Sequence, residues 1–261
     1  MTADTKSEVD RLRTSLIDAL IGESPGYSGI RIPDDVQGQR DLLRALMNVR
    51  PAGPASDELI RIQDAYLSLR REEKGVVRVR DIPEVRPRIR LWQGDITRIE
   101  ADAIVNAANS GMTGCYQPNH ACIDNCIHTF AGIQLRQRCS EEMVVQGRPE
   151  PTGSARITPG YNLPARNVIH TVGPIVRGEL TGRHRDDLAS CYRSCMELAD
   201  ANGLESIVFC CISTGVFGFP GKEAAEIAVD TVSRILPRTG LDVVFDVFTD
   251  KDRRIYESIL G

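Results

Sequence analysis

Through the first eighty positions the apolar residues recur at every third or fourth place, and then the rhythm changes. Val9, Leu12, Leu16 and Leu20 line one face of a helix, as do Leu59, Ile62, Tyr66 and Leu69. Between them "DLLRALMNVR" reads as a third amphipathic helix, with Asp34 and Asp35 upstream as start signals. "GESPGYSG" and "RPAGPAS" separate the three with Gly, Pro and Ser. Residues 1–80 are thus expected to form a helical extension that packs against, or covers, the rest of the chain, and they carry no repeat and no catalytic motif. The proline-bearing segment "DIPEVRPRIR" marks a boundary.

From residue 88 to 261 short β-branched runs alternate with helical ones. Strands are expected in "IRLWQGD", "DAIVNAAN", "SARITPG", "NVIHTVGP", "SIVFCCIST" and "LDVVFDVFT". Helical spacing appears at Ile123, Ile127 and Phe130, at Leu188, Tyr192, Cys195 and Leu198, and at Ala224, Ile227, Val229 and Ile235, and "DKDRRIYESIL" closes the chain as a short helix. The alternation predicts an α/β domain whose mixed sheet is covered on both faces. Ligands of such folds sit at the carboxyl ends of the strands.

Three strand ends stand out. In "QGDI" a carboxylate, Asp95, follows Gly94; it either caps the next helical turn or accepts from a ligand amine. "NAANSG" places two asparagines on a tight backbone, suited to a turn or to ribose hydroxyls. "ISTGVFGFPGKEAAE" runs from a strand through Gly215 and Gly218 into a helix near Pro220, an arrangement in which backbone N–H groups converge on an anion. It is not a Walker loop, since no Gly-Lys-Ser/Thr follows.

The densest chemistry lies in "TGCYQPNHACIDNCIH", residues 113–128, which holds Cys115, His120, Cys122, Cys126 and His128. Thiolate and imidazole suit zinc, and three protein ligands leave a fourth position open. Cys115, His120 and Cys122 can converge only if the chain bends, and Pro118 and Asn119 supply the bend. Cys122 falls near a helix start, where the dipole favours a thiolate. Cys126 is in phase with Ile123, Ile127 and Phe130 and reads as core. His128 reads as a structural hydrogen-bonding residue further along the helix. The remaining cysteines, Cys139, Cys191, Cys195, Cys210 and Cys211, fall in helical or strand patterns and read as structural.

Composition narrows the classes. A net charge of −4 argues against a general nucleic-acid binder. The polar start "MTADTKSEVD" holds no secretory apolar region, and no apolar run approaches the ~18 residues of a membrane span. A cytoplasmic protein with reduced thiols, without nucleic-acid or membrane partners, is the expectation; nothing indicates an oligomeric state.

Taken in order, "QGDITRIEADAIVNAANS", "IHTFAG", "TGSARIT", "NVIHTVGP" and "ISTGVFGFP" resemble the macrodomain family over roughly residues 88–260. The resemblance implies a three-layer α/β/α sandwich that binds ADP-ribose. Asp95, with Ile96 beside it, would hold the adenine amine, and Ser213, Thr214, Gly215, Val216, Phe217 and Gly218 would wrap the diphosphate. Asn109 would meet the distal ribose, Phe217 would pack near that sugar, and Phe248, with Phe245 as the alternative, would face the adenine. Many catalytic members carry glycines where this chain has "GCYQPNHACIDNCIH". That departure resembles the zinc-dependent subgroup, implying Zn2+ on Cys115, His120 and Cys122. Asp124 then stands where related hydrolases carry the acidic residue that activates water; its bland alternative is a solvated first-turn carboxylate. The implied activity is removal of mono-ADP-ribose from modified proteins, with acidic side chains the acceptor by analogy. Deacetylation of O-acetyl-ADP-ribose and non-catalytic ADP-ribose binding are the alternatives.

Overall fold

The computed structural model describes residues 3–261, so Met1 and Thr2, with which the expected extension begins, lie outside the described residues. Three helices come first: α1 (Ala3–Gly22), α2 (Val36–Val49) and α3 (Asp57–Lys74). Asp35 caps α2 by accepting from the Gly38 N–H at 2.8 Å, and Ser56 caps α3 through Leu59 N–H. Their apolar faces close on one another through Leu12, Leu16, Ile17, Leu43, Leu46 and Leu67, and this cluster also takes in Ile133 from the body of the protein. The extension is therefore packed onto the rest rather than tethered beside it.

The remainder comprises β1 (Val77–Arg78), β2 (Glu84–Arg86), β3 (Ile89–Gln93), β4 (Ile99–Glu100), β5 (Ala103–Ala108), α4 (Ile123–Ala131), α5 (Ile133–Gln146), β6 (Ala155–Pro159), β7 (Asn167–Val172), α6 (Gly182–Ala201), β8 (Ser206–Phe209), α7 (Gly221–Ile235), β9 (Asp242–Val247) and α8 (Asp250–Leu260). Seven strands form one sheet in the order β2-β3-β9-β8-β5-β7-β6, and β1 pairs with β4 apart from it. The five inner strands run parallel, and β2 and β6 join antiparallel at the edges. The centres of the inner strands are largely apolar, as burial on both faces requires: Ile104, Val105, Val168, Ile169, Ile207, Val208, Val243 and Val244 are wholly buried. Helices α4 and α5 cover the face that carries Asn106 and His170; α6, α7 and α8 cover the other. This is the α/β/α sandwich expected.

Two details add to the sequence reading. The proline-bearing segment that marks the boundary itself contributes a strand, since β2 within it pairs with β3 and closes the sheet edge. The expected strand at "SIVFCCIST" stops at Phe209, and Cys210 and Cys211 already belong to the loop leaving it.

Because the inner strands are parallel, their carboxyl ends share one rim. Asp95 follows β3, Phe248 follows β9, the 213–219 loop follows β8 and Asn109 follows β5, in that spatial order. Three strand spacings of ~4.8 Å separate the first from the last, about 14 Å.

Candidate functional site

After β5 the backbone turns at Asn109, whose Oδ1 accepts from Gly111 N–H at 2.9 Å. Gly114 has φ of 82°, and a Cβ there would lie 2.8 Å from the His128 ring, so this position closes on α4 only without a side chain. The chain then reverses at Asn119, which takes a left-handed φ of 55°. That reversal returns His120 to Cys115, with Nδ1 3.5 Å from Sγ. Cys122 is the N-cap of α4 and its Sγ accepts from Asn125 N–H at 3.4 Å. The donor atoms of Cys115, His120 and Cys122 all lie within 4.8 Å of one another. Tetrahedral zinc, with bonds of ~2.0–2.3 Å, sets its ligands ~3.6 Å apart, a separation that the Cys115–His120 pair has and that lies within the bound on the S, N, S set. Burial, with Cys115 and Asp124 adding to it, pushes the Cys122 thiol up to about 12; a cation on that sulfur is what would compensate a thiolate there.

In the first turn of α4, Asp124 is buried, at 5% exposure, which disposes of the solvated alternative. Its Oδ1 accepts from Asn106 Nδ2 at 2.8 Å and its Oδ2 from Asn109 Nδ2 at 3.1 Å. Burial pushes its carboxyl up to about 6, against the pull of those amides and the Arg136 guanidinium. Asn109 gives its amide also to the Gly114 carbonyl at 3.1 Å, and its Oδ1, which takes Gly111 N–H on one lone pair, keeps a second to accept from a ligand hydroxyl. The first asparagine of the pair, Asn106, is wholly buried, so only Asn109 reaches the rim.

Behind Asp124 runs a polar chain that the sequence reading missed. Asn106 Nδ2 lies 3.1 Å from His170 Nδ1, and His170 Nε2 lies 2.9 Å from Thr158 Oγ1. Since the amide only donates, Nδ1 accepts and Nε2 carries the proton. Burial pushes His170 down to about 4 and keeps it neutral. His128, Cys139 and His170 also bring donor atoms within 4.8 Å. Both His170 nitrogens are already engaged, however, so this second group has no free donor atom at His170 to give a metal. His128 does not make the structural hydrogen bond expected of it: α4 turns its ring inward over Gly114, and neither nitrogen has a partner among the described residues. Its nearest polar neighbour is Asp124 Oδ1, 3.6 Å from Nε2.

The N-terminal helices grip this loop, also unforeseen. Arg44 on α2 donates to the His120 carbonyl at 2.9 Å, to Asn125 Oδ1 at 2.9 Å and to Cys126 Sγ at 3.3 Å. Asn125 in turn donates to the Cys115 and Gln117 carbonyls at 3.4 and 3.0 Å. Asn48 accepts from Asn119 N–H at 3.0 Å. Tyr116 lies under the Arg136 guanidinium, 4.2 Å from ring centre to Cζ. Cys126, read as core, is half-buried and accepts from Arg44. All eight cysteines are free.

At the other end of the rim, Asp95 caps the turn that follows β3 and also does more. Its Oδ1 accepts from Thr97 N–H and Oγ1 at 3.0 and 2.6 Å, while Oδ2 pairs with Lys74 Nζ at 2.5 Å. Burial opposes its ionisation, but Lys74 and Thr97 outweigh it and hold the carboxyl below its usual range. Ile96 is buried beneath. Between the two ends, Ser213 and Gly218 take left-handed φ of 66° and 72°. Gly218 N–H bonds Gly215 O, Phe219 N–H bonds Ser213 O, and Phe217 O accepts from Val176 N–H. The N–H groups of Gly215, Val216 and Phe217 have no backbone partner among the described residues outside helices and strands, which leaves them available to a ligand. Thr214 is different: its N–H and hydroxyl both serve the Cys211 carbonyl. Of the two aromatic candidates, Phe245 is core, stacked between Phe209 and Tyr256, and Phe248 is 76% exposed.

A family model for the Macro domain matches residues 105–228. A protein-ADP-ribose hydrolase of Treponema medium is 53% identical over 255 residues, covering 95% of this chain and 98% of its own. The chain belongs to the macro domain family. A second protein-ADP-ribose hydrolase, from Staphylococcus aureus strain MSSA476, is 52% identical over 87% of this chain and 86% of its own. Among solved structures, a Trypanosoma brucei macrodomain in complex with ADP-ribose matches with a TM-score of 0.65 and 33% identity, over 83% of this macro domain chain and 95% of that one. An Oceanobacillus iheyensis macrodomain with ADP matches at 0.61 and 39%, over 66% and 89%. No helix among the described residues is long and apolar enough to cross a membrane.

Proposed function

We propose that this macro domain is a zinc-dependent protein-ADP-ribose hydrolase that removes single ADP-ribose units from modified side chains, acidic ones by analogy. That the chain is a hydrolase rests on relatives about half identical over nearly its whole length. The observation that carries the finer reading is the juxtaposition of an S, N, S donor set with the buried carboxylate of Asp124 at one end of a nucleotide-length rim.

In this reading residues 1–80 are a helical extension and 88–261 the macro domain, and the rim orders the ligand as it orders the strands. Asp95 takes the adenine amine with Phe248 against the ring, the N–H groups of Gly215, Val216 and Phe217 hold the diphosphate, and Asn109 Oδ1 accepts from the distal ribose. Binding energy gathered along the rim fixes the scissile end beside Asp124. Cys115, His120 and Cys122 would hold the zinc, which would supply Lewis acidity and a water of lowered pKa beside Asp124. Asp124, with its two oxygens held by Asn106 and Asn109, takes a proton from the attacking water. Water adds across the bond between sugar carbon and side-chain oxygen, and the side chain leaves as its carboxylate. The loop keeps its shape because Arg44 and Asn125 tie its carbonyls together. Arg44→Met is therefore expected to weaken zinc binding ~10–100-fold, read by competition with a chromophoric chelator; unchanged affinity would remove Arg44 from this role.

The test of the function is release of free ADP-ribose from a protein mono-ADP-ribosylated on acidic side chains, read by mass spectrometry. Release at catalytic enzyme concentrations is expected. Tight ADP-ribose binding with no release from any modified acceptor would replace the hydrolase with a reader, and turnover confined to O-acetyl-ADP-ribose would replace it with a deacetylase.

A further inference from the structure

The last turn of α3 brings Lys74, a residue of the N-terminal helices, to the carboxylate at the end of β3. Its Nζ lies 2.5 Å from Asp95 Oδ2, donates to Thr97 Oγ1 at 2.8 Å and sits 3.5 Å above the centre of the Phe130 ring. The ammonium's three donors are thereby matched to a carboxylate, a hydroxyl and a ring face. The carboxylate is nearly filled as well. An ionised Asp has about four acceptor positions; Thr97 takes two on Oδ1 and Lys74 takes one on Oδ2. One position on Oδ2 remains, on a side chain that is 34% exposed. Asp246 on β9 is buried with no partner for Oδ1 among the described residues, and burial together with the Asp95 charge pushes its carboxyl well above its usual range. Lys74 is thus the cation that faces the ionised carboxylate here.

We propose that Lys74 is a positioning residue for purine recognition: it fixes the plane of Asp95 so that the one open acceptor position meets an exocyclic amine, which makes the N-terminal helices part of the nucleotide site. This rests on the reading of Asp95 as the amine's acceptor. A purine with a carbonyl in place of the amine sets acceptor against acceptor and is rejected. Without Lys74 the carboxylate can turn, and its desolvation is no longer offset by a cation.

The test compares dissociation constants for ADP-ribose and its hypoxanthine analogue, IDP-ribose, on the full chain, Lys74→Met, Lys74→Arg and Asp95→Asn. Wild type is expected to favour ADP-ribose ~10–100-fold, the weight of one hydrogen bond to a charged group. Lys74→Met is expected to cut that preference at least fivefold, chiefly by weakening ADP-ribose, and Lys74→Arg, which keeps the cation and the helix packing, to restore part of it. If Lys74→Met weakens both ligands equally, or tightens ADP-ribose, the inference is overturned, and Lys74 only holds the helices in place. A preference that Asp95→Asn abolishes and both Lys74 variants retain also overturns it while sparing the Asp95 reading. No preference in wild type, with Asp95→Asn neutral, defeats that reading and the inference together.

Discussion

Asp124→Ala is expected to lower the single-turnover rate of ADP-ribose release by ~10²–10⁴-fold, the weight of a positioned general base, while ADP-ribose binds within a few-fold of wild type. The binding groups Asp95 and Gly215–Phe217 belong to other strand ends and are not disturbed. Stability should change little. Moving the Asp124 carboxyl from 3.8 to about 6 means that keeping it ionised at neutral pH costs about 3 kcal/mol in the folded state. Its removal relieves that cost and offsets the two amide hydrogen bonds lost from Asn106 and Asn109. A buried carboxylate kept at the expense of stability is the trade that functional sites often show. The same group shapes the pH profile: activity is expected to fall on the acid side as Asp124 protonates, at or below about pH 6, since a cation nearby draws the midpoint down. An Asp124→Ala protein that is folded and fully active would remove Asp124 from the mechanism.

The second large effect is expected from Cys122→Ser. Serine is a good N-cap and can accept from Asn125 N–H as the Cys122 sulfur does, so α4 starts as before. The hydroxyl is nevertheless a poor zinc ligand. Zinc content measured by plasma mass spectrometry should fall from about one per chain to background, and release should fall at least ~10³-fold, since a metal's charge stabilisation is worth several kcal/mol. The far-ultraviolet circular dichroism should be unchanged. Retained activity with zinc absent would show that the thiol serves some other end. Cys115→Ser, in the loop rather than at the helix start, serves as the control that separates ligand loss from capping.

Much of the rim was legible in the sequence because strand ends leave local marks. Asp95 directly after β3, Asn109 directly after β5 and the Gly215–Gly218 loop after β8 each sit beside an apolar run that names the strand. The bend that joins Cys115 to His120 was legible from Pro118 and Asn119, since Asn tolerates the left-handed φ found there. What could not be read was long-range. Arg44 and Asn125 are 81 positions apart, and Lys74 and Asp95 meet across the joint between helices and sheet. Nothing in the periodicity of α2 or α3 distinguishes these polar residues from the solvated ones on the same helices. Asn106 and His170 were hidden for another reason. Each lies inside a strand among apolar neighbours, and only the register that sets Asn106 opposite His170 on one face reveals the polar chain behind Asp124. The β2–β3 pairing was obscured by prolines that, at a sheet edge, need give no ladder hydrogen bond.

The most direct measurement is single-turnover release of ADP-ribose from a mono-ADP-ribosylated protein, before and after zinc is stripped by chelator with the removal verified by elemental analysis. Release that vanishes with the metal and returns on adding one equivalent of Zn2+ is the predicted result. Undiminished release from the metal-free protein would contradict the account.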